Sequence, residues 1–282
     1  MRQLKTLLGD YPVTAALKAN RIRSQNFTLD FADVKPPSAG FKRVVRDLEF
    51  DVAELAIVTF LLAKAAGKPL LLLPAVVVAR FQHPLLVYNA ERKQITADDL
   101  AGKRIGVRSY SVTTGAWLRW ILAESHHLDP AMVDWITFEE AHVAEFVDPP
   151  NVQRAPEGAK LIDMLLAGEI DAAIVGDGMA PDPRIQPVLE DPAAAAAEWQ
   201  RRHVATQINH MVVVREDLPR EDAREVYDML RESRERAPVA DMTPFGLEQN
   251  RRNLEAAIEC VWGQGMIPNR FTVDELFGGN FP

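Results

Sequence analysis

The chain has 282 residues, 48% of them hydrophobic, enough to bury the core of one large or two modest domains. Its 40 acidic residues outweigh 32 basic ones, and the formal charge of −8 repels phosphate backbones, so nucleic acid is not an expected partner. The single cysteine, Cys260, excludes an internal disulfide framework, argues against a cysteine-based metal site, and reads as a plain helix residue.

Residues 1–10 hold no apolar h-region and no small-residue cleavage site, so a soluble, cytoplasmic protein is the expectation. The longest apolar run, residues 70–79, contains Pro74 and is too short to span a bilayer, so no membrane partner is expected. Along the chain, apolar runs predict strands over 4–8, 27–31, 52–55, 70–78, 85–88, 104–107, 135–138, 172–175 and 209–214. Helical patterns predict helices over 14–19, 40–48, 59–66, 113–124, 159–167, 220–236 and 247–263. The alanine run after Asp191-Pro192 reads as a further helix, capped by Asp191 with proline at its first turn. Alternating strands and helices point to an α/β fold with largely parallel sheets.

Residues 90–102 turn polar, and a fresh strand–helix unit begins at Arg104. This reads as a crossover into a second lobe, with the return at 200–207. The expected organisation is a discontinuous lobe over 1–90 and 208–282 and an inserted lobe over 91–207. Ligands in open α/β sheets bind beyond the carboxyl ends of strands, so the expected site is a cleft between the lobes.

Several segments carry candidate chemistry. Arg108, Ser109, Tyr110, Ser111 and Thr113 follow a strand and open a helix, where hydroxyls and free N–H groups suit an anion and Arg108 could clamp a carboxylate. The plain alternative is a capped helix with a surface arginine. Glu54 ends a strand inside an apolar run, where a carboxylate is costly unless paired or working. His83 sits between two strands, preceded by Arg80, and His210 lies in an apolar strand; each suits proton transfer near neutral pH or a purely structural hydrogen bond. His126-His127 complements a helix C-terminus, and His142 with Glu139, Glu140 and Glu145 matches no metal-ligand spacing, so no metal is expected. No phosphate-binding glycine loop and no Gly-x-Ser-x-Gly motif occurs.

Gly168-Glu169-Ile170-Asp171-Ala172, after a helix and before a strand ending at Asp177, resembles a signature common in type 2 periplasmic binding proteins. More specific are residues 46–55, 64–69, Arg80-Phe81-Gln82-His83 with Tyr88-Asn89, and residues 106–113. Asp148-Pro149-Pro150-Asn151-Val152, Asn209-His210-Met211 and Pro244-Phe245-Gly246-Leu247-Glu248 complete the set. Together they resemble the 4,5-dihydroxyphthalate decarboxylase family, an enzyme branch of the type 2 binding-protein fold, over nearly the whole chain. The resemblance implies a two-lobed α/β protein, each lobe a mixed, largely parallel sheet flanked by helices.

It also implies a carboxy-lyase whose partner is a small aromatic carboxylate and which needs no cofactor, since ipso protonation followed by CO₂ loss requires none. A homo-oligomer is left open. Set against that chemistry, His83 is assigned proton transfer, with His210 second, and Glu54 contacts the phenol. Arg108, Ser111 and Thr113 bind a carboxylate, with Tyr110, Arg80 and Asp10 completing the binding set. The alternative is a non-catalytic solute-binding protein for a small aromatic carboxylate. A third reading is other chemistry on the same scaffold, such as a menaquinone-pathway enzyme or a thiamine-precursor synthase. The iron-dependent form of the latter suits a chain with one cysteine poorly.

Overall fold

A computed structural model describes residues 2–176, 178–238 and 242–278. The chain forms two compact units: unit 1 is Met1–Arg80, His142–Glu145 and Thr206–Pro282, and unit 2 is Phe81–Ala141 and Phe146–Ala205.

Unit 1 begins with β1 (Arg2–Leu7), α1 (Pro12–Lys18), β2 (Phe27–Phe31), α2 (Phe41–Asp47), β3 (Val52–Ala56), α3 (Ile57–Ala65) and β4 (Leu70–Ala79). Unit 2 follows with β5 (Leu86–Asn89), β6 (Arg104–Val107), α4 (Thr113–His126), β7 (Asp134–Thr137) and β8 (Val152–Arg154). It continues with α5 (Leu161–Ala167), β9 (Ala172–Ile174), β10 (Ile185–Pro187) and α6 (Pro192–His203). The chain then returns to unit 1 with β11 (Ile208–Arg215), α7 (Arg220–Glu235) and α8 (Leu247–Gly263).

The unit 1 sheet has the order β2-β1-β3-β11-β4. Strands β1, β2 and β3 run parallel, and β11 runs antiparallel to both β3 and β4. Every residue of β3 is buried, which explains its continuous apolar sequence apart from Glu54. One core gathers Leu73, Ala75 and Val77 of β4 with Val212 and Val214 of β11. Onto these pack Val226 and Leu230 of α7, four residues apart on one helical face. Acidic Glu221 and Asp222 occupy the first turn of α7, where they complement the helix dipole. Pairing of His210 with Ala56 and Val78 brings the start of β11 alongside the carboxyl ends of β3 and β4.

The unit 2 sheet has the order β10-β5-β9-β6-β7-β8. Strands β9, β6, β7 and β8 are parallel, and β5 runs antiparallel between β10 and β9. Asp191 caps α6 as expected, accepting the Ala194 N–H at 2.9 Å with Pro192 in the first turn. Asp177 lies outside the described residues.

Two segments differ from the lobe boundaries read in the sequence. Residues 81–90 were expected with the first lobe, but Phe81 onward clusters with unit 2. The cause is β5, whose Leu86 and Tyr88 are buried in the unit 2 core beside Ile105 and Ile174. His142–Glu145, expected in the inserted lobe, clusters with unit 1. There Thr59 Oγ1 lies 3.0 Å from His142 Nδ1, Arg46 donates to the His142 carbonyl at 2.8 Å, and Lys68 pairs with Glu145 at 2.6 Å.

Candidate active site

In unit 1, a buried carboxylate collects three groups at the carboxyl end of the parallel strands. Glu54 on β3 is 0% exposed. Its Oε2 accepts the Gly9 backbone N–H at 2.5 Å. Its Oε1 accepts the Tyr11 hydroxyl at 2.8 Å and lies 2.9 Å from Nδ1 of His210. A carboxylate can accept all three, which removes the cost of burying it.

The turn after β1 is built for this grip. A Cβ on Gly9 would stand 2.5–2.6 Å from the ring carbons and hydroxyl of Tyr11, so a larger residue there would have to displace the Tyr11 ring. Thr14 staples the turn, its hydroxyl donating to the Gly9 carbonyl at 2.7 Å and accepting the Tyr11 N–H at 3.1 Å. Burial, the Glu54 charge and the hydrogen bond to Glu54 hold the Tyr11 phenol far above its ordinary value of 10.0, against the opposing charge of Arg80. Tyr11 is therefore a permanent donor.

His210 keeps contact with solvent, its side chain 18% exposed while Glu54 is sealed. With Nδ1 turned to Glu54, Nε2 is the ring nitrogen not engaged with Glu54. Phe41 of α2 packs edge-on against the His210 ring at 5.1 Å between centroids, fixing its plane. Arg80 follows directly on β4, within electrostatic reach of Tyr11. Asp10 is exposed and pairs with Lys18 and Lys35, whose hydrogen bonds hold its carboxyl below the usual range.

Of the expected site residues, Glu54, His210, Arg80 and Asp10 lie in unit 1, and His83, Arg108, Tyr110, Ser111 and Thr113 in unit 2. His83, expected on the first lobe, instead opens a single 3-10 turn, His83–Leu85, that leads into β5. It is 1% exposed, and burial, then the charges of Arg202 and His126, push its imidazole down to about 4. Its Nδ1 has no hydrogen-bond partner among the described residues. His83 is thus a neutral buried ring at neutral pH.

Ser109 and Ser111, between β6 and α4, and Thr113, the first residue of α4, are buried, and the two serine hydroxyls lie 3.3 Å apart. Val112, at the N-cap of α4, has no side chain bonded to the first turn. Arg108 is half-exposed and faces Glu139 at 3.4 Å, while its carbonyl accepts the N–H groups of Phe138 and Glu139. Tyr110, read as a binding residue, is packed in the unit 2 core under the guanidinium of Arg119, 3.7 Å from its ring centre. The fully buried Arg119 also donates to the Tyr110 carbonyl at 2.9 Å. Sequence gave no sign of this pair, since an arginine inside an amphipathic helix reads as surface.

Among the described residues no three His, Cys, Asp or Glu side chains group as metal ligands. No helix among them is long and apolar enough to cross a membrane.

No family model matches the sequence. The chain is 32% identical over 182 residues to the 4,5-dihydroxyphthalate decarboxylase of Pseudomonas putida, covering 60% of this chain and 70% of that protein. It belongs to the 4,5-dihydroxyphthalate decarboxylase family. A second family member, from Comamonas testosteroni, is 31% identical over 199 residues, covering 66% of this chain but only 60% of its own length. Solved structures place the family member on the periplasmic-binding-protein fold. The alkanesulfonate-binding protein SsuA of Xanthomonas axonopodis pv. citri superposes with a TM-score of 0.57 at 16% identity, over 98% of both chains. The periplasmic aliphatic sulphonate binding protein SsuA of Escherichia coli gives 0.51 at 11% identity, over 100% of this chain and 84% of that one. The desulfurization enzyme DSZB gives 0.53 at 13%, over 98% and 96%. At these identities the likeness concerns the fold alone.

Proposed function

We propose that this chain is a non-oxidative carboxy-lyase acting on a hydroxylated aromatic dicarboxylate, converting 4,5-dihydroxyphthalate to protocatechuate. The reaction is that named for its two relatives. The observation that carries it here is the Glu54–His210 pair, a buried carboxylate 2.9 Å from a histidine that remains partly exposed.

Direct loss of CO₂ from an arene leaves an electron pair in a ring sp² orbital, which is prohibitive. Protonation of the ipso carbon avoids this. His210 Nε2–H breaks as the C–H bond forms, and the para phenol passes its proton to water, leaving a cyclohexadienone. The C–C bond to the carboxylate then breaks, its electron pair restores the aromatic ring, CO₂ departs, and the phenolate oxygen takes a proton back from water. One proton is consumed for each CO₂ released. Glu54, expected from the sequence to contact the phenol, is sealed and already engaged by Gly9, Tyr11 and His210, so its role is instead to orient the imidazole and stabilise its cation, that of a carboxylate behind a general acid. Arg80 is the unit 1 cation suited to the retained carboxylate.

Incubation with 4,5-dihydroxyphthalate, following CO₂ and protocatechuate, tests the proposal. Stoichiometric formation of both supports it. Binding without turnover overturns it in favour of a non-catalytic solute-binding protein.

A further inference from the structure

Tyr11 and His210 converge on one oxygen of Glu54, although a carboxylate offers two. The Tyr11 hydroxyl reaches Oε1 at 2.8 Å and His210 Nδ1 reaches the same atom at 2.9 Å, while Oε2 is occupied by the Gly9 N–H at 2.5 Å. A hydrogen bond to a charged group draws negative charge toward its donor. Charge drawn toward Tyr11 no longer stabilises a cation on His210.

We propose that Tyr11 is a positioning residue that sets the proton affinity of His210 through their shared oxygen on Glu54, keeping the imidazole acidic enough to release its proton to an aromatic carbon. The role rests on the assignment of His210 as proton carrier. The phenol is suited to it, because burial and the neighbouring carboxylate keep it protonated and donating. Its ring lies against Gly9.

Other groups act on the same pair from each neighbouring element. Arg80, after β4, and Asp10, in the β1–α1 turn, act on Tyr11 with opposite signs. Phe41 of α2 stands edge-on to His210, and the Phe41 ring also lies 5.5 Å from the ring of His142. None of these donates to Glu54 Oε1 in the manner of Tyr11.

The test is an NMR titration of His210 in the resting protein, without substrate, paired with the pH profile of turnover. Tyr11→Phe keeps the ring over Gly9 and removes only the donor. It is expected to raise the His210 pKa by about half a unit to one unit, and to move the alkaline limb of the rate profile up by the same amount. Site-specific incorporation of 3-fluorotyrosine at position 11, a stronger donor, is expected to shift both downward. An unchanged His210 titration in both variants, with the fold intact by near-UV circular dichroism, overturns the proposal. A shifted titration in a protein whose turnover survives His210→Asn upholds the link between Tyr11 and His210 while removing the catalytic reading of His210.

Discussion

Two histidines at strand ends occupy opposite environments. His210 has a carboxylate 2.9 Å from one ring nitrogen and solvent beside the ring. His83 is 1% exposed, has cations for its nearest charges, and is pushed down to about 4. Both stand in apolar sequence beside a strand, so sequence context ranks them equally or favours His83, which follows Arg80. The difference lies in what each ring faces. A histidine carries protons when an anion can stabilise its cation and one nitrogen stays reachable; burial beside arginine does the reverse.

The comparison can be broken by substitution. His210→Asn should lower kcat for decarboxylation about 10²–10⁴-fold with little change in melting temperature. His83→Asn should cost less than about tenfold by the same measure; equal losses would erase the distinction. Glu54→Ala removes the acceptor of three groups and should destabilise the protein by about 3–5 kcal/mol in urea unfolding.

The low pKa of His83 gives the contrast a pH signature. In the unfolded chain the ring titrates near its ordinary 6.5, in the folded chain near about 4. Between these values the unfolded state binds the proton and the native state does not. Stability is therefore full above the unfolded value and falls as pH drops toward the folded one, by about 3 kcal/mol at most. Unfolding measured across that window should show this decline, and His83→Gln should flatten it.

Gly9→Ala sharpens the other side. With a Cβ forced into the Tyr11 ring, it should cost about 1–3 kcal/mol and loosen the grip on Glu54, read as a lower melting temperature together with a lower kcat. The smallest effect is expected from Arg108→Ala. Its exposed pair with Glu139 should be worth less than about 1 kcal/mol in thermal unfolding.

These contrasts also mark what sequence could reveal. Glu54 was visible because a carboxylate inside a run of buried residues demands partners. His210 was visible as a polar residue in a β-branched strand. Gly9 and Tyr11 were not, because a turn has no periodicity and their role depends on Glu54, which lies 45 and 43 residues away. Several elements follow from their patterns: β2, β6 and α8 begin and end at the residues expected from the sequence. The three-residue strands β8 and β10 escaped, since so short a run alternates too little to register. The placement of β5 escaped for a different reason. A strand's own residues show that it is buried but not which sheet buries it.

The position of β11 in its sheet has a consequence for synthesis on the ribosome. The strand lies between β3 and β4, yet follows both by the length of unit 2. His210 is 156 residues from Glu54, so at ordinary translation rates of about 5–20 residues per second it is made about 8–30 s later. Through that interval the nascent chain holds two apolar strand edges with no partner between them and a buried-type carboxylate without its histidine. Unit 1 therefore closes late, after unit 2 has been made, and the step that completes its sheet also assembles the Glu54–His210 pair.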